Sequence, residues 1–418
     1  MNLSPWLIRA APALGLGLLL TFSSSIGQTY FISLFAGQLR QELGLSHGSF
    51  GWIYATATLL SALALAWVGK LADHSSVTTV AIGSLVVLAC CALLMAGSTT
   101  WWMLAIALFG LRLGGQGLLS HLALTAVARW FDRGRGRALG IAALGFSIGE
   151  AFLPPVVASL LILSTWREIW VGIAVCFLAV LVPISAWLGE EIRKLGPEDL
   201  DVTKLASSNT ARVSWTRRQV LKDNRFYALL PGALAPSFII TGILFHQVHL
   251  AELKGWTLTE FAACYPIFAA STTAVSLTCG WLVDRYGTAR LLPFYLIPLG
   301  LGLALVAASS SIFAAAIFMF LMGATAGGAT IVLGALWAEL YGTDHLGAIR
   351  SLTVTLMVIA TAIAPWLLGT LIDQGVSLNW QLFAMAFYTL ACALWFAILW
   401  PSLSGDVEPY FASENRRT

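Results

Sequence analysis

With 418 residues, of which 58% are hydrophobic and only 10% charged, the chain would have to expose far more apolar surface than water tolerates, so a water-soluble fold is excluded. The formal net charge is +3, and the basic residues follow topology instead of forming a recognition stripe, so no nucleic-acid partner is expected. All six cysteines (Cys90, Cys91, Cys176, Cys264, Cys279, Cys392) fall inside apolar runs, where thiols behave as small buried hydrophobes, and neither a disulfide framework nor a zinc site is expected.

Apolar segments of about 20 residues recur along the whole chain, each long enough to cross a hydrocarbon core of about 30 Å as a helix. Spans are predicted at 10–35, 50–69, 77–97, 102–129, 137–162, 167–188, 226–251, 258–282, 290–310, 312–340, 349–372 and 380–400, which makes an all-α polytopic membrane protein of twelve transmembrane helices. The first segment lacks a small-x-small cleavage site and is read as a span, not a signal peptide. Within it Ser23, Ser24, Ser25, Gly27, Gln28 and Tyr30 interrupt the apolar pattern, which predicts a broken or cavity-lining helix. Gln28 and Tyr30 can hydrogen-bond a carboxylate or a hydroxyl, and helix contact through small residues is the competing reading.

Span 4 carries Arg112 about ten residues in, followed by Gln116 and Gly117. A charge near mid-membrane costs at least about 2.5–3.5 kcal/mol and should face a cavity or a partner. His121, nine residues further on, falls on the opposite helix face and is not expected to share that cavity. Span 5 places Glu150 halfway along, after Gly145 and Gly149. The polar stretch 190–225 holds 14 of the 43 charges and predicts a cytoplasmic linker between an N-terminal six-helix bundle, 1–189, and a C-terminal one, 226–418. His246, Gln247 and His249 lie in the outer part of span 7, and a lone buried histidine such as His246 is more often satisfied by packing than functional. Tyr265 and Pro266 in span 8 predict a kink.

Of the 23 Lys and Arg, only Arg40, Arg167 and Lys254 fall in loops on one side, Arg112 lies within a span, and all others fall on the opposite side. The positive-inside rule therefore places both termini in the cytoplasm of a multi-pass cell-membrane protein. The halves also repeat: Gly69-Lys70-Leu71-Ala72-Asp73 recurs 211 residues later as Gly280-Trp281-Leu282-Val283-Asp284. Gly136 and Gly347 keep the same offset beside Arg137 and Arg350, and agreement at one offset argues for duplication.

At these residues the chain resembles the major facilitator superfamily, whose Gly-x-Leu-x-Asp-Arg-x-Gly loop follows spans 2 and 8. The second copy keeps Gly280, Leu282, Asp284, Arg285 and Gly287; the first keeps Gly69, Leu71 and Asp73, then runs on as His74-Ser75-Ser76-Val77. Arg133 to Gly140, leading into Gly145, Gly149 and Pro154, is similar to the monocarboxylate and oxalate/formate branch. The resemblance implies a secondary active transporter working by alternating access, with Asp73, Arg137, Asp284, Arg285 and Arg350 forming a conformational latch on the cytoplasmic side.

Arg112 cannot lose its proton under ordinary conditions, and it points to a small organic anion, monocarboxylate-like, as the substrate. Gln116, Gln28, Tyr30, His246 and Tyr265 are the other candidate binding residues, and Glu150 is the candidate for proton coupling, in a gated pair with Arg112. The competing reading of Arg112 is a structural arginine bonded to carbonyls of neighbouring helices. A drug or metabolite efflux antiporter remains the alternative, as does, from another class, a non-transporting sensor of the same fold. Catalytic residues, metal and cofactor are all expected to be absent, because no metal-spacing cluster, nucleophile elbow or phosphate loop occurs. The expected partners are the small-molecule substrate, the lipid bilayer and protons, with the chain a monomer.

Overall fold

The computed structural model describes residues 10–69, 75–131, 134–195, 215–342 and 344–412, with side chains described as far as Pro401. Among them there is no strand. Among the described residues eleven helices are long and apolar enough to cross a membrane, and a bent pair, Ala11–Gly27 and Thr29–Leu43, makes a twelfth span broken by 49°. Spans 2 to 6 are His47–Val68, Val77–Ala96, Trp101–Trp130, Arg135–Leu163 and Trp166–Lys194. Spans 7 to 12 are Asn224–Phe245, Leu258–Tyr286, Thr288–Ala308, Ile312–Tyr341, Leu346–Asp373 and Leu378–Pro401. The chain divides into two compact units, Met1–Ser208 and Asn209–Thr418, each holding six spans. The outward faces carry large apolar side chains, Leu163 82%, Phe313 78% and Phe387 77% exposed among them, as a helix bundle solvated by acyl chains requires.

In lipid the hydrophobic effect does not drive helices together, so close packing through small residues has to do so. In the first unit Gly145 of span 5 faces Leu18 and Thr21 of span 1, and Gly149 faces Ser25. Thr21 adds a hydrogen bond from Oγ1 to the Ala142 carbonyl at 2.6 Å. In the second unit Gly323 and Gly327 of span 10 meet Phe268, Ser271, Thr272 and Ser276 of span 8. Ser271 Oγ donates to the Phe320 carbonyl at 2.7 Å across the same seam.

The 211-residue offset reappears in the backbone. Phe35 (φ −95°) and His246 (φ −96°) are 211 apart, and each precedes an eight-residue helix, Ala36–Leu43 and Gln247–Lys254. Those helices end at Gly44 (φ 63°) and Gly255 (φ 72°), a left-handed cap that favours glycine. Ser46 and Thr257, again 211 apart, then cap the next spans by accepting from Ser49 N and Glu260 N. The copies diverge where unit 1 has Leu43: in unit 2 this is Lys254, buried, with Nζ donating to the Ala307 carbonyl at 3.0 Å. Burial lowers the pKa of that ammonium.

Three predicted elements differ. Span 1 does not stop near residue 35 but continues, after its break, to Leu43. Span 7 ends at Phe245, and 247–251, predicted as its outer end, belongs to the separate helix after His246. Of the stretch 190–225, Glu190 to Lys194 close the helix Val182–Lys194, a short helix Arg217–Val220 precedes span 7, and 196–214 lies outside the described residues. Trp215 N–H donates to the Tyr341 carbonyl at 2.9 Å, and Tyr341 OH donates to Asp223 Oδ2 at 3.1 Å, which seats the start of the second unit on the end of span 10.

Candidate substrate site

The break in span 1 has a local cause. Ser23 Oγ donates to the Leu19 carbonyl and Ser24 Oγ to the Thr21 carbonyl, each at 2.7 Å, the back-bonding that bends helices. Ser24–Gly27 narrows to a 3-10 turn, and Gln28 leaves the helix altogether at φ −83°, ψ 153°. Span 4 is irregular at the place where it meets this break. Arg112–Leu119 is a π-helix, a form often found at functional sites, with Gly114, Gly115 and Gly117 weakening the ordinary helix there. The two backbones touch: a Cβ on Gly115 would lie 2.8 Å from Gly27 Cα.

Arg112 stands at the first residue of the π stretch, 2% exposed. Its Nη1 donates to the Gly27 carbonyl and its Nε to Thr58 Oγ1, both at 3.1 Å. Its guanidinium carbon lies 5.1 Å from the centre of the Tyr54 ring, and Tyr54 OH is in turn 2.7 Å from Thr29 Oγ1. Charge-assisted hydrogen bonds of this kind contribute about 1.5–3 kcal/mol each, and a desolvated cation–π contact about 2 kcal/mol. Together they hold a buried arginine in place, yet none carries negative charge. Among the described residues no carboxylate forms an ion pair with Arg112, Glu150 included, so the site keeps a full positive charge and spare N–H donors.

Around it the first unit gathers other polar groups. Gln116, one turn beyond Arg112, and Gln28 are half-buried, and among the described residues neither side chain has a hydrogen-bond partner. Ser25 Oγ is buried and, among the described residues, likewise lacks a partner. Tyr30 OH lies beside Gly149, 3.3 Å from where a Cβ would stand. Glu150 follows directly, half-buried and without a hydrogen bond or ion pair among the described residues.

The second unit treats its candidates differently. His246 is 4% exposed, with Nε2 3.0 Å from the Pro365 carbonyl. Tyr265 is fully buried, its OH donating to Gln247 Oε1 at 2.8 Å between Phe261 and Phe268. Both are tied into the helix packing of their own unit, whereas Arg112, Gln116, Gln28 and Tyr30 gather in the first. Where unit 1 has Arg112 and Gln116, unit 2 has, at the same offset, Gly323 and Gly327 in an uninterrupted α-helix. Tyr54 and Thr58 carry no mark in the hydropathy pattern, but Tyr54 stands 211 residues before Tyr265, and the duplication was the signal that could have found it.

Of the proposed latch residues, Asp73 lies outside the described residues. Arg137 and Asp284 are exposed, and among the described residues neither has a partner within its own unit. Arg285 lies over the rings of Trp281 and Tyr286, at 5.4 and 5.6 Å, and Arg350 Nη2 donates to the Gly334 carbonyl. The capping carboxylate beside this loop is one the sequence did not single out: Glu339 Oε2 accepts from Thr288 N at 3.1 Å and from Thr288 Oγ1, joining the end of span 10 to the start of span 9.

Comparison with known proteins places this architecture. A curated relative, an uncharacterized 38 kDa protein in the 23S RNA operon of Thermoproteus tenax, is 24% identical over 366 residues, 87% of this chain and 90% of that protein. The crystal structure of a bacterial homolog to the human lysosomal transporter Spinster, inward-facing and unoccupied, is similar with a TM-score of 0.73 at 14% identity. That alignment covers 97% of this chain and 99% of the other. A mutant form of the nucleoside transporter NupG gives a TM-score of 0.66 at 15% identity, covering 94% of this chain and 99% of its own. At those identities the structures show a shared fold. The family model of the Major Facilitator Superfamily matches residues 17–277 and 237–416, nearly the whole chain, and with twelve spans in two six-helix units this protein belongs to that superfamily.

Proposed function

We propose that this secondary transporter carries a small organic anion, with Arg112 as the anion-binding residue and Glu150 as a proton-binding residue that makes uptake depend on pH. The observation that carries the reading is the Arg112 guanidinium, buried among neutral donors and acceptors with no carboxylate to balance it among the described residues. Hydrogen bonds from Arg112 to Gly27 and Thr58 account for its position but leave its charge, and a substrate carboxylate would supply the missing half of the pair. Gln28, Gln116 and the Ser25 hydroxyl add neutral groups for orienting such a ligand. His246 and Tyr265, committed to Pro365 and Gln247, serve this reading as scaffold.

The test is ligand-dependent thermal stability of the purified protein against carboxylates, sugars, nucleosides and lipophilic cations at two pH values, since a ligand specific to the folded state raises stability as its concentration passes Kd. Short carboxylates are expected to stabilise the protein, more strongly at acid pH, and that shift is expected to vanish in Arg112→Gln. A pH dependence that survives Glu150→Gln would remove the proton role.

A second reading rests on Gln28 and Gln116, whose uncommitted amides suit a neutral polar solute, and one of the similar structures is a nucleoside transporter. It predicts stabilisation by nucleosides that is kept in Arg112→Gln. Stabilisation by lipophilic cations alone, unchanged in Arg112→Gln, would instead favour drug efflux.

A further inference from the structure

The second unit contains a cavity of about 530 Å³ between spans 7, 10 and 11, and its lining changes character along its length. Arg350 and Trp337 mark one end, Leu333, Val354 and Met357 the middle, and Thr361 the other end. Arg350 and Thr361 sit on one helix, 11 residues apart, so the lining runs roughly 16 Å at 1.5 Å per residue. Thr241 of span 7 also faces the cavity and belongs to the Thr361 end, since the adjacent Gly242 packs on Ala364.

Arg350 donates from Nη2 to the Gly334 carbonyl, and no carboxylate pairs with it among the described residues. That leaves most of its five N–H donors and its whole charge at the end of a chamber whose lining is mostly apolar, with hydroxyls at Thr353 beside it and at Ser237 and Thr330 further along. Trp337 beside it is stacked on Tyr341, rings 6.3 Å apart and nearly parallel at 6°, and so presents a fixed apolar wall. A cation at one end of an elongated, mostly apolar chamber, with Leu333, Val354, Met357 and Ile240 supplying the apolar wall, matches an amphipathic molecule. A two- or three-carbon acid would fill only a small part of that volume, leaving apolar lining uncovered.

We infer that this cavity is a binding site for an amphipathic organic anion, a carboxylate carrying an apolar chain of about eight carbons, whose head group pairs with Arg350 and whose chain lies along Leu333, Val354 and Met357. The inference rests on the anion reading proposed above only in the class of ligand, and adds to it a second anion site, in the second unit, that takes longer acids than the one at Arg112. It assigns Arg350 to the ligand instead of to a conformational latch.

The test is binding of radiolabelled octanoate to the protein in lipid nanodiscs, with butyrate, hexanoate, decanoate and octanol as competitors. Affinity is expected to rise about fourfold per methylene, the effect of burying one CH₂, and octanol, which lacks the charge, is expected not to compete. Arg350→Gln should weaken octanoate at least tenfold, and Arg350→Lys should weaken it less. Met357→Trp leaves the arginine intact and fills the chamber; it should spare butyrate while abolishing binding of octanoate and decanoate. Octanoate bound equally well by Arg350→Gln and Met357→Trp would overturn the inference. If that binding were then lost in Arg112→Gln, the anion reading would stand without it, whereas failure of the unaltered protein to bind any carboxylate would remove both.

Discussion

Arg112 shows how far a single residue can be read from sequence. Its type and depth announce a cost that must be met, and the structure meets it with a carbonyl, a hydroxyl and an aromatic ring. What the sequence could not supply was the identity of those partners. The Gly27 carbonyl is available only because span 1 breaks there, Thr58 is one of many threonines, and Tyr54 becomes visible only through its repeat, Tyr265. The contact of Gly27 with Gly115 is the most exacting feature of this site, since two backbones meet where any side chain would intrude. Gly115→Ala is expected to destabilise the protein by about 1–3 kcal/mol, the range for overpacking a filled interior, and to lower substrate-dependent stabilisation with it. Gly83→Ala is the matched control: this glycine also lies in a span, but nothing stands within 4 Å of its missing Cβ. There the change should be neutral or stabilising by up to about 1 kcal/mol, because alanine suits a helix better than glycine. Thermal midpoints of the two variants, measured in one detergent, check the contrast, and equal losses would show that the Gly27 contact is slack.

Among the elements, long apolar helices were legible and their interruptions were legible only in part. The serines and Gln28 of span 1 predicted a break because they fall in the middle of an apolar run, and the break is there. The division at His246 escaped the same reasoning because Gln247 to Lys254 mixes polar and apolar residues and can extend a span by composition alone. The break itself is at His246 (φ −96°), the counterpart of Phe35 (φ −95°), and neither residue type announces it. The π-helix in span 4 was likewise invisible, since glycines permit it without specifying it. The start of span 9 shows a further limit, because its cap comes from the distant Glu339 and not from a local Ser or Asp. Glu339→Ala removes both bonds to Thr288 and is expected to cost about 1–2 kcal/mol, as loss of a good helix cap does. Thr288→Ala removes the hydroxyl but leaves Thr288 N–H to the carboxylate, so it should cost less. Equilibrium unfolding of the two single variants and the double variant tests this, and the double should fall short of their sum because both act on one contact.

At the scale of the whole molecule, hydropathy and duplication carried the fold, because in a membrane every backbone group must be satisfied within its own span and few alternatives to helices exist. The candidate site is less legible because the two copies have diverged there: Arg112 and Gln116 in one unit answer to Gly323 and Gly327 in the other. The orientation of the whole rests on a different signal, the placement of lysine and arginine. Their gathering on one side, with only Arg40, Arg167 and Lys254 near the other, all three at helix ends, predicts cytoplasmic termini. Two of the three exceptions have structural work of their own. Arg167 binds Glu42 at 2.8 Å and the carbonyls of Ala96 and Ser98, which balances its charge, and Lys254 binds the Ala307 carbonyl, which ties it into the packing of its unit. In a cysteine-free variant, single cysteines at Ser76, Thr216 or His345 should resist a membrane-impermeant maleimide in intact cells, while cysteines at Ser46, Thr99, Ser310 or Ser377 should react. All seven positions are exposed, so a failure to react cannot be ascribed to burial. The reverse pattern would place both termini outside, and the loop carrying Asp284 would then face the exterior, where a cytoplasmic latch could not act.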